Sequence, residues 1–203
     1  MRDVRERHRP QRGRVLGEAR RVFLRPLHRD RLPERPGADG KVLVRSSDGG
    51  ANYRPFDSKA GTVERPDGRL ETRSYGSMTY ALLKCYIFAG LTVDDPRVRD
   101  ALAWLGKNYT WEENPGFETP ELARQGLYYY YATAARALAL AGAGATGGKG
   151  IPDTWRDDLA ARLLELQREN GAWVNEVDRW MEGLPEVATA FALKALAETV
   201  PGK

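Results

Sequence analysis

The residues in this chain best suited to chemistry are aromatic. Tyr128, Tyr129, Tyr130 and Tyr131 run consecutively, and Tyr128 and Tyr131 fall on one helix face at i, i+3. Aromatic faces stabilise cations, so tyrosines that look inward could line a binding or reactive cavity. Aromatics at helical spacing also pack cores, and the spacing leaves both readings open. Tyr75 and Tyr80 sit in a second apolar stretch upstream and join the candidate contacts. A further candidate is the polar and aromatic loop Asn175-Glu176-Val177-Asp178-Arg179-Trp180, which lies just before an apolar helix. Trp180 would supply a ring there. Asp178 is the weak candidate for a catalytic acid, and with Arg179 it could equally form a loop ion pair.

Other chemistries find no support. No nucleophile–base pair is evident, and Gly142–Gly150 lacks the Lys-Ser/Thr ending of a phosphate loop. The only adjacent Asp pairs, Asp94-Asp95 and Asp157-Asp158, stand at helix starts, where capping and the helix dipole account for them. Both histidines, His8 and His28, lie outside the apolar body, and the single cysteine, Cys85, sits in an apolar helix. No metal site and no cofactor are therefore expected.

The elements that must position these residues are helices. Tyr75–Ala89 is apolar nearly all round and closes at Gly90. Asp95 and Pro96 open an amphipathic helix to Tyr109, with Val98, Leu102 and Leu105 on one face. Gly126–Ala141 is the second apolar helix. Asp153 is the expected cap of another amphipathic helix, Thr154 to about Arg168, with Trp155, Leu159, Leu163 and Leu166 apolar. Pro185 opens a third apolar helix through Thr199. Residues 54–73, rich in polar residues with Pro55, Gly61, Pro66 and Gly68, read as a loop or insertion.

These helices recur. Thr79, Thr133 and Thr189 fall 54 and 56 residues apart, each within a small-residue apolar helix. Each helix follows a turn of glycine plus aromatic: Gly50/Tyr53, Gly116/Phe117, Gly171/Trp173. A period near 50 with two helices per unit is the signature of a helical repeat array.

Gln167-x3-Gly171-x-Trp173 resembles the QW motif of the squalene–hopene and oxidosqualene cyclases. Thr189-Ala190-Phe191-Ala192-Leu193 is similar to the Thr-Ala-Trp-Ala-Leu helix that follows it there. Ser74–Tyr80 and Gly126–Tyr131 are similar to segments of bacterial prenyltransferase/squalene oxidase repeat proteins. The resemblance covers residues 43–200. It implies membership of the terpenoid cyclase/protein prenyltransferase superfamily and an all-α fold, a partial α/α toroid of helical-hairpin repeats with two helix pairs and a final inner helix. It further implies an apolar or isoprenoid-type ligand on the inner surface, or a cyclase or transferase in which aromatic side chains stabilise carbocations. Gln167, Gly171 and Trp173 take a structural role as the clasp between repeats. The chain departs from the family's catalytic patterns. No Asp pair matches the DxDD acid motif, and the body has no histidine for a prenyltransferase zinc site. A partial ring leaves an apolar edge, which a protein partner or self-association would cover.

Composition places the chain in the globular class, with 41% hydrophobic and 30% charged residues. No apolar run approaches the ~20 residues of a spanning helix, and no signal h-region is seen, so the default location is the cytoplasm. The charge is divided unevenly. Residues 1–35 carry twelve arginines against five acids, leaving 20 basic and 23 acidic residues in the remainder. The expected organisation is a poorly ordered basic arm, 1–41, and a repeat domain, 42–203. The slightly acidic body gives no reason to expect nucleic acid. Val15, Leu16, Ala19, Val22, Phe23 and Leu27 approach helical spacing among arginines, so the arm could rest on a membrane surface.

Overall fold

The computed structural model describes residues 34–37, 40–142 and 146–200. They fall within one compact unit, 33–203. The expectations about the arm (His8, His28 and the amphipathic stretch at 15–27) lie outside the described residues.

The expectation of an all-α partial toroid is corrected by the structure. Among the described residues, six helices are joined by a four-stranded mixed sheet: β1 (Arg35–Pro36), β2 (Val42–Val44), β3 (Thr62–Glu64) and β4 (Leu70–Thr72). The strand order is β1-β2-β4-β3. β1 pairs antiparallel with β2, β2 runs parallel to β4 with Leu43 opposite Leu70, and β3 pairs antiparallel with β4 with Val63 opposite Glu71. The residues that read as a loop, 54–73, contain the hairpin of β3 and β4. Gly68, at φ +79°, donates its N–H to Arg65 O, and Arg65 N–H donates to Arg69 O, which closes β3 onto β4. Two of the residues assigned to the arm, Arg35 and Pro36, belong to this sheet.

The helices are α1 (Gly76–Phe88), α2 (Pro96–Lys107), α3 (Pro120–Ala123), α4 (Leu127–Ala141), α5 (Trp155–Glu165) and α6 (Pro185–Thr199). The apolar helices lie side by side, α1 against α4 and α4 against α6, while the amphipathic α2 backs α1 and α5 backs α6. α4, in the middle of the row, buries nine of its residues from Leu127 to Leu138. α2 buries Val98, Ala101, Leu102, Trp104 and Leu105 and turns its charges outward. Asp95 caps α2, accepting from Arg97 N–H at 2.9 Å, with Pro96 at the first helical position. Asp153 does not cap α5. Thr154 holds the cap position, and its hydroxyl donates to Asp158 instead. α3 had no counterpart in the sequence reading; it is a single turn capped by the Thr119 hydroxyl.

The sheet region is tied to the start of α1, which matters for the site. Asn52 Nδ2 donates to Thr72 Oγ1 at 2.8 Å and Tyr75 N–H donates to Ala51 O at 3.0 Å. Gly116, at φ +102°, passes so close beneath this junction that a Cβ there would stand 2.1 Å from Ser74 O.

Candidate functional site

The turn that ends in Trp173 joins α5 to α6. Gln167 Nε2 donates to Gly171 O at 2.8 Å, within its own turn, where Gly171 adopts φ +81°. Trp173 does the bridging. Its indole N–H donates to Leu163 O at 2.7 Å, satisfying a terminal carbonyl of α5, and its backbone N–H donates to Thr189 Oγ1 of α6 at 3.1 Å. The first unit repeats the second contact: Ala51 N–H donates to Thr79 Oγ1 of α1 at 3.0 Å. Thr133, the middle member, is buried and makes no such bond among the described residues.

A second device starts the helices. α1 and α4 have no side-chain cap of their own, since Tyr75 and Gly126 hold the cap positions. Each start is closed by a residue from far downstream. Asn114 Oδ1 accepts from Ser77 N–H at 2.9 Å, and Asn114 Nδ2 donates to Ser77 Oγ. Glu182 Oε1 accepts from Tyr129 N–H at 2.7 Å, and Oε2 from Tyr128 N–H at 3.2 Å and Asn175 Nδ2 at 2.8 Å. Glu182 is 0% exposed. Burial pushes its carboxyl above the usual range, against the lowering effect of these hydrogen bonds.

These two helix starts floor a pocket of about 490 Å3, inside the range of small-molecule sites. Its walls carry six rings, from Tyr53, Tyr75, Phe117, Tyr129, Trp180 and Phe191, with Met78 between them. Tyr75 meets Phe117 with centroids 5.1 Å apart, and Tyr129 meets Phe191 edge-on at 5.7 Å. Lys59, Ser77, Asn114, Gln125 and Glu182 supply the polar lining. The Tyr75 phenol is pushed well up by burial, with smaller contributions from Tyr129, Asp57 and Tyr53, so these groups converge.

One wall is held under backbone strain. Trp180 and Met181 adopt φ +64° and +67°, left-handed values that side-chain-bearing residues rarely take. The loop is pinned by Asn175 N–H to Glu182 O, by Gly183 N–H to Asp178 Oδ1 and by Arg179 Nη1 to Gln125 Oε1. Trp180, 55% exposed, rests over Gly126, where a Cβ would stand 3.2 Å from its Cδ1. Arg179 covers the Trp180 ring at 4.9 Å.

The candidates named from the sequence divide into two groups. Tyr75 and Trp180 line the pocket. Tyr80, Tyr128 and Tyr131 lie in the core: Tyr80 packs on Tyr130 at 5.9 Å, Tyr131 donates its hydroxyl to Trp111 O at 2.7 Å, and Tyr128 meets Tyr131 edge-on. Burial, aided by Glu182, pushes the Tyr128 phenol up to about 12. Asp178 is an exposed turn residue that accepts from Gly183 N–H, and it does not line the pocket. The sequence reading did not single out Tyr129, Phe191, Lys59, Gln125 or Glu182. Tyr53 and Phe117 were visible only as turn aromatics.

No protein-family model, no curated protein and no solved structure matches the chain. Among the described residues, no helix is long and apolar enough to cross a membrane, and no group of three or more His, Cys, Asp or Glu could hold a metal ion.

Proposed function

We propose that this chain binds an apolar or isoprenoid-type small molecule in the aromatic pocket at the starts of α1 and α4. The observation that carries this reading is the lining itself: six rings and a methionine around about 490 Å3, one wall built on two strained residues. Such strain persists where the surroundings enforce it and clusters at ligand sites. The resemblance of Gln167–Trp173 and the α6 segment to squalene cyclase and prenyltransferase repeat proteins supports an apolar ligand class. Titration with farnesol, read through tryptophan fluorescence, tests it. Saturable binding that is lost in Trp180→Ala and Tyr129→Ala is expected. No saturable response, or an unchanged response in both variants, refutes it.

A second reading, an isoprenoid cyclase or transferase, is favoured by one observation. Glu182 is a buried carboxyl with a raised pKa in the wall of an aromatic pocket, the environment a proton donor to an alkene needs. Incubation with squalene and prenyl diphosphates followed by mass spectrometry separates the two. Turnover lost in Glu182→Gln supports catalysis, and recovery of unchanged substrate supports binding alone.

A further inference from the structure

We propose that the ligand of the aromatic pocket carries a carboxylate at its polar end, a deepening that rests on the reading of this pocket as a ligand site. The inference comes from which hydrogen-bonding groups in the lining are already used. The carboxylate and amide acceptors are spent: both Glu182 oxygens receive protein donors, Asn114 Oδ1 receives Ser77 N–H and Gln125 Oε1 receives Arg179 Nη1. The donors are not. Lys59 Nζ makes no hydrogen bond among the described residues, its nearest acid being Asp57 Oδ1 at 3.7 Å. The Gln125 amide N–H groups and the hydroxyls of Tyr53, Tyr75 and Tyr129 likewise have no acceptor there. Tyr75 lines the pocket, and its hydroxyl, which has no acceptor among the described residues, opens to it. A phenol in the wall of a pocket and an ammonium at its edge are satisfied by a ligand that brings acceptors.

Charge selects among acceptors. The guanidinium of Arg54 lies 5.3 Å from the Tyr53 ring and that of Arg179 lies 4.9 Å from the Trp180 ring, so two rings of the lining already hold a cation. With Lys59 they make three positive groups around the opening. Of the acids nearby, Glu182 has its charge met at the start of α4, Asp178 accepts from Gly183 N–H, and Asp57, 3.7 Å from Lys59, offsets part of that ammonium's charge, which leaves Arg54 and Arg179 in excess. An ammonium head would meet spent acceptors and cationic neighbours. A carboxylate would meet Lys59 and the phenols, and the apolar body of the same molecule would cover the rings.

Three compounds with one tail test this on the full chain: farnesoic acid, farnesol and farnesylamine, titrated by fluorescence or calorimetry. The acid is expected to bind at least about tenfold tighter than the alcohol, the ratio that one charge-assisted hydrogen bond supplies, with the amine weakest. Lys59→Gln, at an exposed flexible side chain, is expected to bring the acid down to the affinity of the alcohol. Equal binding of acid and alcohol, or an amine that binds as tightly as the acid, overturns the carboxylate assignment and leaves the pocket reading standing. If none of the three binds, both fall.

Discussion

Replacing the three aligned threonines one at a time by valine separates hydrogen bonding from packing in the repeat. Valine keeps the branched shape and exchanges the hydroxyl for a methyl group. In Thr79→Val, the half-buried Ala51 N–H loses the hydroxyl of fully buried Thr79 as its acceptor, while Tyr75 O keeps the Thr79 N–H and loses only the hydroxyl. An orphaned buried amide costs about 1–3 kcal/mol, so about 2 kcal/mol is expected here. In Thr189→Val, Trp173 N–H loses its acceptor, but Thr189 is half-buried and water can reach the amide, so about 1 kcal/mol is expected. Thr133 makes no side-chain hydrogen bond among the described residues, so Thr133→Val should change stability by less than about 0.5 kcal/mol. For a unit of this size each kcal/mol moves Tm by about 2–4 °C, which places Thr79→Val about 4–8 °C below the parent. Urea denaturation and thermal melts followed by circular dichroism measure all three. A Thr133→Val loss as large as that of Thr79→Val would show that branching, not the hydroxyl, is what the repeat needs, and an unaffected Thr79→Val would refute the clasp directly.

Two further outcomes follow from the loop that carries Glu182. The folded pKa of Glu182 lies above its ordinary value of 4.5, so its contribution to stability is complete below that value and is lost as pH rises through the raised one. The stability of the parent minus that of Glu182→Gln should therefore fall with pH across this window and then level off; urea denaturation from about pH 4 to pH 8 checks it, and a difference that grows with pH would refute it. Met181 is exposed and left-handed, a conformation that costs an ordinary residue about 1–2 kcal/mol, while glycine brings an entropic cost of about 0.5–1 kcal/mol. Met181→Gly should stabilise the fold by up to about 1 kcal/mol in the same denaturation assay, and a destabilised variant would contradict the strain.

The helices were legible because their ends are chemically marked. α6 runs from Pro185 to Thr199 as its proline and small-residue pattern indicate, and α2 begins at Pro96 behind its Asp cap. The buried face of α2 was legible for the same kind of reason, a period of 3.6 carried by Val98, Leu102 and Leu105. The strands were not. Each is two or three residues long, too short for alternation to register, and two of the residues that signalled a loop, Pro66 and Gly68, belong to the hairpin turn between β3 and β4. The pocket was half legible. The i, i+3 rule finds residues that share a face, and on α4 the face shared by Tyr128 and Tyr131 is the core face. Tyr129, rotated away from it, is the member of the run that reaches the pocket. Glu182 could not be found from its neighbours in sequence, because a glutamate in a polar loop reads as solvated and the backbone amides it caps, those of Tyr128 and Tyr129, lie more than fifty residues upstream.

The two backward-reaching caps set a timetable for the growing chain. Asn114 meets Ser77 across 37 residues, and Glu182 meets Tyr128 across 54. Synthesis proceeds at about 5–20 residues per second, so α4 emerges about 3–10 s before the carboxylate that completes its first turn exists. Until then the amides of Tyr128 and Tyr129 have only water, and the pocket has neither its floor nor its Trp180 wall. The pocket is therefore among the last features of the body to form, complete only once the Asn175–Glu182 loop and Phe191 have been made.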